Sequence, residues 1–150
     1  MGDGEMEITE IRPEDIPEGV SNAEVKVRMQ IIRQFYREWK ERHPDQKMYN
    51  RSLRQDINIR MISIDETSSK ASRDYRSTLA VLQLDAILTG AVKVASSKVK
   101  QGTANQNKFR EMLIMHYYCP GIGLVKMTVG VRHKTFEKIQ YCITCIEPAE

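Results

Sequence analysis

His116, Lys126 and Arg132 are three side chains in the C-terminal part of the chain whose types suit the metal-independent cleavage of RNA. That reaction needs a base for the 2′-hydroxyl proton, a cation that stabilises the charged phosphorane, and an acid that protonates the leaving oxygen. Histidine titrates near neutral pH and can act as base or acid, whereas lysine and arginine can hold the phosphate. The three residues therefore form a predicted catalytic set, although the sequence identifies no carboxylate beside them.

Five further cationic or titratable residues are candidates for contact with nucleic acid. Three of them belong to a polar stretch, residues 96–108, that contains three lysines and no acid. A loop of this length without regular structure is typically functional or mobile. The predicted nucleic-acid-binding residues are Lys98, Lys100, Lys108, His133 and Lys134.

The register of the last two predicted strands decides which of these side chains share a face of the sheet. Side chains alternate between the two faces along a strand. Matching the apolar residues of both strands pairs Val129 with Ile143 and Thr128 with Thr144. That register requires a loop of three or five residues around Phe136.

A turn at Gly121 places His116 opposite Lys126 on the preceding pair of strands. The predicted polar face then collects His116, Lys126, Thr128, Arg132, Gln140, Cys142 and Thr144. An antiparallel sheet commonly buries one face and exposes the other to water, so a solvated polar face is the alternative to a catalytic one.

The predicted first helix starts at residue 21, because Ser21 and Glu24 have the spacing of a capping box. Apolar residues recur at intervals of four and three as far as Trp39, and Pro44 ends the helix near His43. The basic residues of this helix are expected on a solvated face, with a phosphate-binding surface as the alternative. They are Arg28, Arg33, Arg37, Lys40 and Arg42.

The middle of the chain is predicted to form a strand and then a second helix. Residues 57–64 alternate apolar and polar side chains, and a change of parity between Met61 and Ile62 predicts a β-bulge. Asp65 is expected to cap the second helix, whose most apolar part, residues 79–88, forms a central buried helix that ends near Gly90.

The remaining predicted strands are a short one at residues 92–94 and a meander over residues 109–118, 124–133 and 139–146. Together these elements predict an α+β fold. In it, N-terminal helices are followed by an antiparallel β-meander that packs on the central buried helix.

The 150-residue chain has a formal net charge of +3, but its N-terminal segment differs from the rest. Residues 1–20 contain seven acids and a single base, Arg12. We therefore expect an acidic flexible arm over residues 1–20 and a single α+β domain over residues 21–150. The arm is further expected to fold back over the basic part of the chain and to mimic a polyanion.

Compartment and cofactors are also expected from the sequence. There is no apolar run of about 18 residues, as a membrane span needs, and the acidic N-terminus differs from a signal peptide. Three cysteines make an odd count that is typical of reduced thiols in a cytoplasmic protein. His116 and Cys119 with Cys142 and Cys145 superficially offer zinc ligands. The last two face opposite sides of a strand, so we expect no metal and no cofactor.

Three segments of the chain resemble uncharacterised proteins carried on bacterial mobile elements. They are residues 58–67 (NIRMISIDET), residues 76–82 (RSTLAVL), and the strand pair 126–130 (KMTVG) with 140–144 (QYCIT). The resemblance covers about residues 24–146. The order of helices and sheet is more loosely similar to the barnase-like and RelE-like endoribonucleases. That similarity implies RNA cleavage without a matched catalytic motif, and Glu111 and Glu137 are candidate carboxylates by position only.

These observations lead to the hypothesis of an endoribonuclease-like or RNA-binding domain of a mobile genetic element, with metal-independent cleavage if the domain is an enzyme. The alternative is a non-enzymatic module that binds a protein or a nucleic acid through the same basic surface. A small-ligand pocket beneath the 96–108 loop is a third hypothesis. The expected partners are RNA or a protein, and not a membrane; the sequence leaves the oligomeric state open.

Overall fold

Helices precede most of the sheet in this computed structural model, which describes residues 11–99 and 106–150. A short 3-10 helix, Pro13–Asp15, comes first. The described α-helices are α1 (Asn22–Arg42), α2 (Met61–Ala71), α3 (Tyr75–Val81) and α4 (Leu84–Gly90). The described strands are β1 (Lys47–Asn50), β2 (Gln55–Asn58), β3 (Val92–Ser97), β4 (Phe109–Cys119), β5 (Gly123–Arg132) and β6 (Lys138–Pro148).

Helix α1 begins and ends where the sequence predicts. The hydroxyl of Ser21 accepts a hydrogen bond from the N–H of Glu24 at 3.2 Å, and Glu24 Oε1 accepts one from the N–H of Ser21 at 3.4 Å. This capping box occupies N–H groups that have no partner within the helix. At the other end His43 is the C-cap and Pro44 follows it. Ile32, Tyr36 and Trp39 of the apolar stripe lie in the core, as predicted.

Arg28 departs from the predicted solvated face of α1, because its side chain is completely buried. Its Nε donates to the carbonyl of Ser72 at 2.7 Å, and its Nη1 donates to the carbonyl of Pro17 at 2.6 Å. Ile16, beside Pro17, is also buried. The described part of the predicted arm is therefore tied to α1 and to the C-cap of α2, and the first ten residues of that arm lie outside the described residues.

The predicted bulged strand over residues 57–64 is wrong, because the chain changes there from strand to helix. Helix α2 begins at Met61, so the change of parity marks the change from a two-residue period to a 3.6-residue period. The N–H of Arg60 donates to Ser63 Oγ at 3.0 Å at the start of the helix. Asp65 consequently lies inside α2 and is not its cap.

The predicted central helix over residues 79–88 is divided into two helices. α3 ends at Val81 and α4 begins at Leu84. The apolar side chains on both sides of the break, including Val81, Leu84 and Ile87, are completely buried. The segment is thus central and buried, as predicted, and α4 extends to Gly90, but the helix is not continuous.

The six described strands form one mixed sheet in the order β1-β2-β6-β5-β4-β3. β2 runs parallel to β6, with Ile57 opposite Lys138, and the other neighbouring pairs are antiparallel. The predicted α+β class is confirmed, and the expectation of a purely antiparallel sheet is wrong. The early hairpin of β1 and β2 was not predicted because residues 47–50 are few and lack a run of apolar alternation.

The ladder between β5 and β6 contains two extra residues on β6, Tyr141 and Ile146, and Tyr141 changes the register near the turn. Met127 pairs with Ile143 and Val129 pairs with Gln140, so Tyr141 has no partner on β5. The predicted pairing of Val129 with Ile143 is wrong, because Val129 pairs three residues further toward the turn. The β-bulge accounts for one of these residues and also reverses the parity, and the connection between the strands, residues 133–137, is centred before Phe136. Gln140, predicted on the polar face, consequently points toward the helices.

The other predicted pair of this ladder is two residues out of register but keeps its predicted face, and the predicted pair of the neighbouring ladder is confirmed. Thr128 pairs with Cys142 and not with Thr144. His116 lies opposite Lys126, as predicted, and the loop between β5 and β6 has five residues, one of the two predicted lengths.

The two faces of the sheet differ in what covers them. We call the face that carries Met127 and Val129 the helix face, because these side chains join the main core with residues of all four helices. We call the opposite face, which carries Lys126, Thr128 and Arg132, the open face. A smaller apolar cluster covers part of the open face and consists of Phe109, Met112, Ile139, Tyr141 and Cys142.

Helices α2 and α3 lie beside β6, along the part of its edge that does not pair with β2. Ser63 Oγ donates a hydrogen bond to the carbonyl of Gln140, and Ser77 Oγ accepts one from the N–H of Cys145 at 2.9 Å. An unpaired strand edge exposes N–H and C=O groups, so these hydroxyls take the place of a neighbouring strand. The position of α2 at this edge also brings Lys70 to the open face.

Candidate functional site

The regular alternation of β5 positions the cations of the open face. Val125, Met127 and Val129 are buried on the helix face. Lys126 and Thr128 point the other way and are partly exposed. β5 keeps strict alternation, because the extra residues of the two adjoining ladders belong to β4 and β6. Basic side chains of β5 are therefore presented on one face while their neighbours anchor the strand in the core.

A cavity of about 310 Å³ lies on the open face and has three lysines in its lining. We call it the lysine cavity. Its floor is built by β4, β5 and β6, and Lys70 of α2 and Lys98 after β3 complete its wall. The lining residues are Lys70, Ser97, Lys98, Gln106, Met112, Ile114, Lys126, Thr128, Tyr141, Cys142 and Thr144.

The charges of the lysine cavity are only partly neutralised. Lys70 Nζ lies 2.8 Å from Glu66 Oε1, and this hydrogen bond raises the pKa of Lys70. Within the described residues, Lys98 and Lys126 have no carboxylate within 4 Å. Two of the three ammonium groups thus have no counter-ion in the part of the chain that the structure describes.

The thiol of Cys142 lines the lysine cavity, and its pKa depends on burial and on the nearby charges. Burial raises the pKa of its thiol to about 11, while the charges of Lys70 and Lys126 act in the opposite direction. The thiol is therefore protonated near neutral pH and is a weak nucleophile there. Lys70, Lys126 and Cys142 line the same cavity.

A second basic site lies at the end of β5 and in the turn that follows it. Lys108, Arg132, His133, Lys134 and Thr135 surround a depression of about 270 Å³, which we call the basic turn. Lys108, His133 and Lys134 are exposed, and Arg132 is partly exposed. Four of the residues that the sequence predicted for catalysis or nucleic-acid binding are thus gathered here.

Arg132 is engaged by a carboxylate at the basic turn. Its Nε lies 3.2 Å from Glu137 Oε1, close enough for an ion pair but not aligned for a hydrogen bond. Glu137 Oε2 also accepts a hydrogen bond from Arg60 Nη2 at 2.6 Å. Glu137, a candidate catalytic carboxylate by position, therefore pairs with two guanidinium groups.

The predicted catalytic set is divided between two places on the open face. His116 and Lys126 are cross-strand neighbours. His116 is two residues along β4 from Ile114, which lines the lysine cavity. Arg132 is six residues further along β5 than Lys126, which corresponds to about 20 Å at the rise of a strand. Arg132 is thus too far from Lys126 for both to contact one phosphate group.

Several members of the lysine cavity were not predicted as site residues. Lys70 lies in another part of the sequence and reaches the cavity only because α2 covers the edge of β6. Thr128, Cys142 and Thr144 were assigned to the polar face with Lys126, and that shared face was the available signal. Lys98 lies in the cavity, whereas the prediction for Lys100 falls outside the described residues.

The exposed part of α1 forms a third, smaller basic depression. Arg33, Arg37 and Lys40 surround about 170 Å³ beside α2. Arg33 is already paired with Asp65 at 2.8 Å. This depression is on the helix-covered side of the molecule and is separate from the open face.

Two kinds of feature are absent from residues 11–99 and 106–150. No three side chains among His, Cys, Asp and Glu are grouped there as ligands for a metal ion. None of the helices in those ranges combines the length and the apolar character of a membrane-crossing helix.

The fold and the two basic sites define an α+β domain with a cationic sheet face. Residues 28–134 match the large polyvalent protein-associated domain 3 family, and the chain belongs to that family. Membership fits the resemblance to an uncharacterised family associated with mobile elements. No curated protein and no solved structure matches the chain.

Proposed function

We propose that the chain is an RNA-binding domain of a mobile element, which holds an RNA backbone on the open face of its sheet. The observation that carries this proposal is the arrangement of the lysine cavity and the basic turn on one face of β5, where Lys126 and Arg132 are about 20 Å apart along the strand. RNA is the nucleic acid proposed, in line with the hypothesis of an endoribonuclease-like or RNA-binding domain.

Two separated basic sites suit a polymer of phosphates better than a single anion. A nucleic-acid strand carries one phosphate per nucleotide, so a single strand can place phosphates at both sites. Phosphate contacts of this kind give affinity and position without reading bases. The proposed binding is therefore strongly dependent on salt and weakly dependent on sequence.

The experiment measures the affinity for a labelled single-stranded RNA as a function of salt concentration. Lys126→Gln removes a cation from the lysine cavity, and Lys134→Gln removes one from the basic turn. Each single-strand phosphate contact contributes a salt slope of about 0.7, so the double variant should lower the slope by about 1.4. Lys26→Gln is the matched control, because Lys26 is an exposed lysine of α1 outside both basic sites. Equal slopes for the double variant and the control would reject the proposal.

Metal-independent cleavage of RNA is the second candidate function, and the pairing of His116 with Lys126 favours it. His116 would transfer the proton while Lys126 holds the phosphate. Purified protein incubated with mixed RNA in EDTA should then produce fragments, and His116→Ala should abolish them. Intact RNA after incubation with the wild-type protein would leave the chain as a binding module only.

A further inference from the structure

The lysine cavity carries two positive charges that no carboxylate of the described residues neutralises. This charge favours the kind of phosphate group that carries about two negative charges. Lys70 is neutralised by Glu66 at 2.8 Å, whereas Lys98 and Lys126 have no carboxylate partner among the described residues. A phosphodiester brings one negative charge. A phosphomonoester brings about 1.5 to 2 charges at neutral pH and three acceptor oxygens.

The other residues of the cavity lining provide hydroxyl groups for phosphate oxygens and an apolar wall. The hydroxyl of Thr144, the cross-strand partner of Lys126, is a donor for a phosphate oxygen; the hydroxyl of Thr128 donates to the carbonyl of Cys142 at 3.4 Å and would exchange that long hydrogen bond for one to the ligand. Met112 and Ile114 add an apolar wall. A volume of about 310 Å³ lies at the lower end of the range for ligand pockets, which suits a small group and not a folded polymer.

We infer that the lysine cavity binds a phosphomonoester in preference to a phosphodiester. The phosphomonoester is the terminal phosphate of a free nucleotide or of a 5′-phosphorylated RNA strand. For a strand end this inference rests on the proposed RNA binding, with the basic turn holding the backbone further along the strand. For a free nucleotide it stands alone, because Lys98, Lys126 and the two threonines lie in the same cavity.

The test compares two RNAs of identical sequence, labelled at the 3′ end, that carry a 5′-phosphate or a 5′-hydroxyl group. The wild-type protein should bind the 5′-phosphorylated RNA about tenfold more tightly. Lys126→Gln should bring the ratio of the two affinities close to one. Lys98→Gln should act in the same direction, and because Lys98 is exposed, this second variant does not depend on the packing of β5.

A matched variant and a second ligand separate this inference from the proposed function. Lys134→Gln at the basic turn should weaken both RNAs by the same factor and leave their ratio unchanged. Equal binding of the two RNAs by the wild-type protein would overturn the inference while leaving RNA binding in place. Binding of adenosine monophosphate but not adenosine, with no binding of either RNA, would support the inference and reject the proposed function.

Discussion

Met127 and Lys126 are adjacent residues of β5, yet they belong to two different environments. Met127 is completely buried in the main core with α1 to α4 around it. Lys126 is partly exposed in the lysine cavity, without a carboxylate partner among the described residues. One strand thus carries stability on the helix face and charge on the open face. A change on one face should therefore leave the property of the other face largely unaltered.

The strongest test of this comparison is the substitution Met127→Ala. Removing a buried methionine side chain should lower the free energy of unfolding by about 2–5 kcal/mol, since the side chain leaves a cavity in a close-packed core. Lys126→Ala should change it by only about 0.5 kcal/mol. Urea denaturation of both variants gives the two values, and similar losses would show that the faces are not separate in this way.

A buried polar network on the helix face gives the next largest effect. Tyr36 donates its hydroxyl hydrogen to Gln140 Oε1 at 2.6 Å, and Gln140 Nε2 donates to Thr67 Oγ1 at 2.9 Å. Tyr36→Phe should cost about 1–3 kcal/mol, because the buried amide oxygen of Gln140 loses its donor. Tyr49→Phe is the control at an exposed tyrosine, and thermal or urea unfolding measures both. A loss no larger than that of the control would contradict the role of this network.

Cys142 is an exception to this comparison, because it lies on the open face but is buried. Burial raises the pKa of its thiol from 9.0 to about 11. Between these values the unfolded chain releases the proton and the folded chain retains it, so stability falls as the pH rises. This thiol should account for a loss of about 1 kcal/mol at pH 10 relative to pH 8. Unfolding of Cys142→Ala at both pH values should show a correspondingly smaller loss, and an identical loss would refute the assignment.

Deletion of residues 1–10 should have the smallest effect and concerns the open face alone. This deletion removes four acids and no base, and it keeps Ile16 and Pro17, which contact the folded domain. If the acidic segment competes with RNA, the deletion should strengthen RNA binding about threefold at low salt and leave it unchanged at high salt. Titration at two salt concentrations measures this effect. Unchanged affinity at low salt would reduce the segment to a solubilising tail.

Local signals predicted the elements that depend on nearby residues. The capping box of Ser21 and Glu24 and the stop at Pro44 predicted α1, because both act within one turn of helix. The alternation of β5 predicted which side chains share a face, and His116 was correctly placed opposite Lys126. The predicted solvated position of Arg28 failed, because its partners are carbonyl groups distant in sequence.

The remaining errors come from interactions between distant segments. The bulge at Tyr141 shifts the register because Gln140 turns to meet Tyr36 and Thr67 on the helix face. The parallel pairing of β2 with β6 joins segments about 80 residues apart. Neither contact leaves a pattern in the residues next to it.

The α+β class, the first helix and the two-sided character of β5 follow from composition or short-range periodicity. Which cations meet depends on the tertiary structure. It separates Arg132 from Lys126 by the length of a strand and brings Lys70 and Lys98 to Lys126 from two other elements. The physical reason is that local pattern specifies the direction of a side chain, whereas the packing of α2 on the edge of β6 specifies its neighbours.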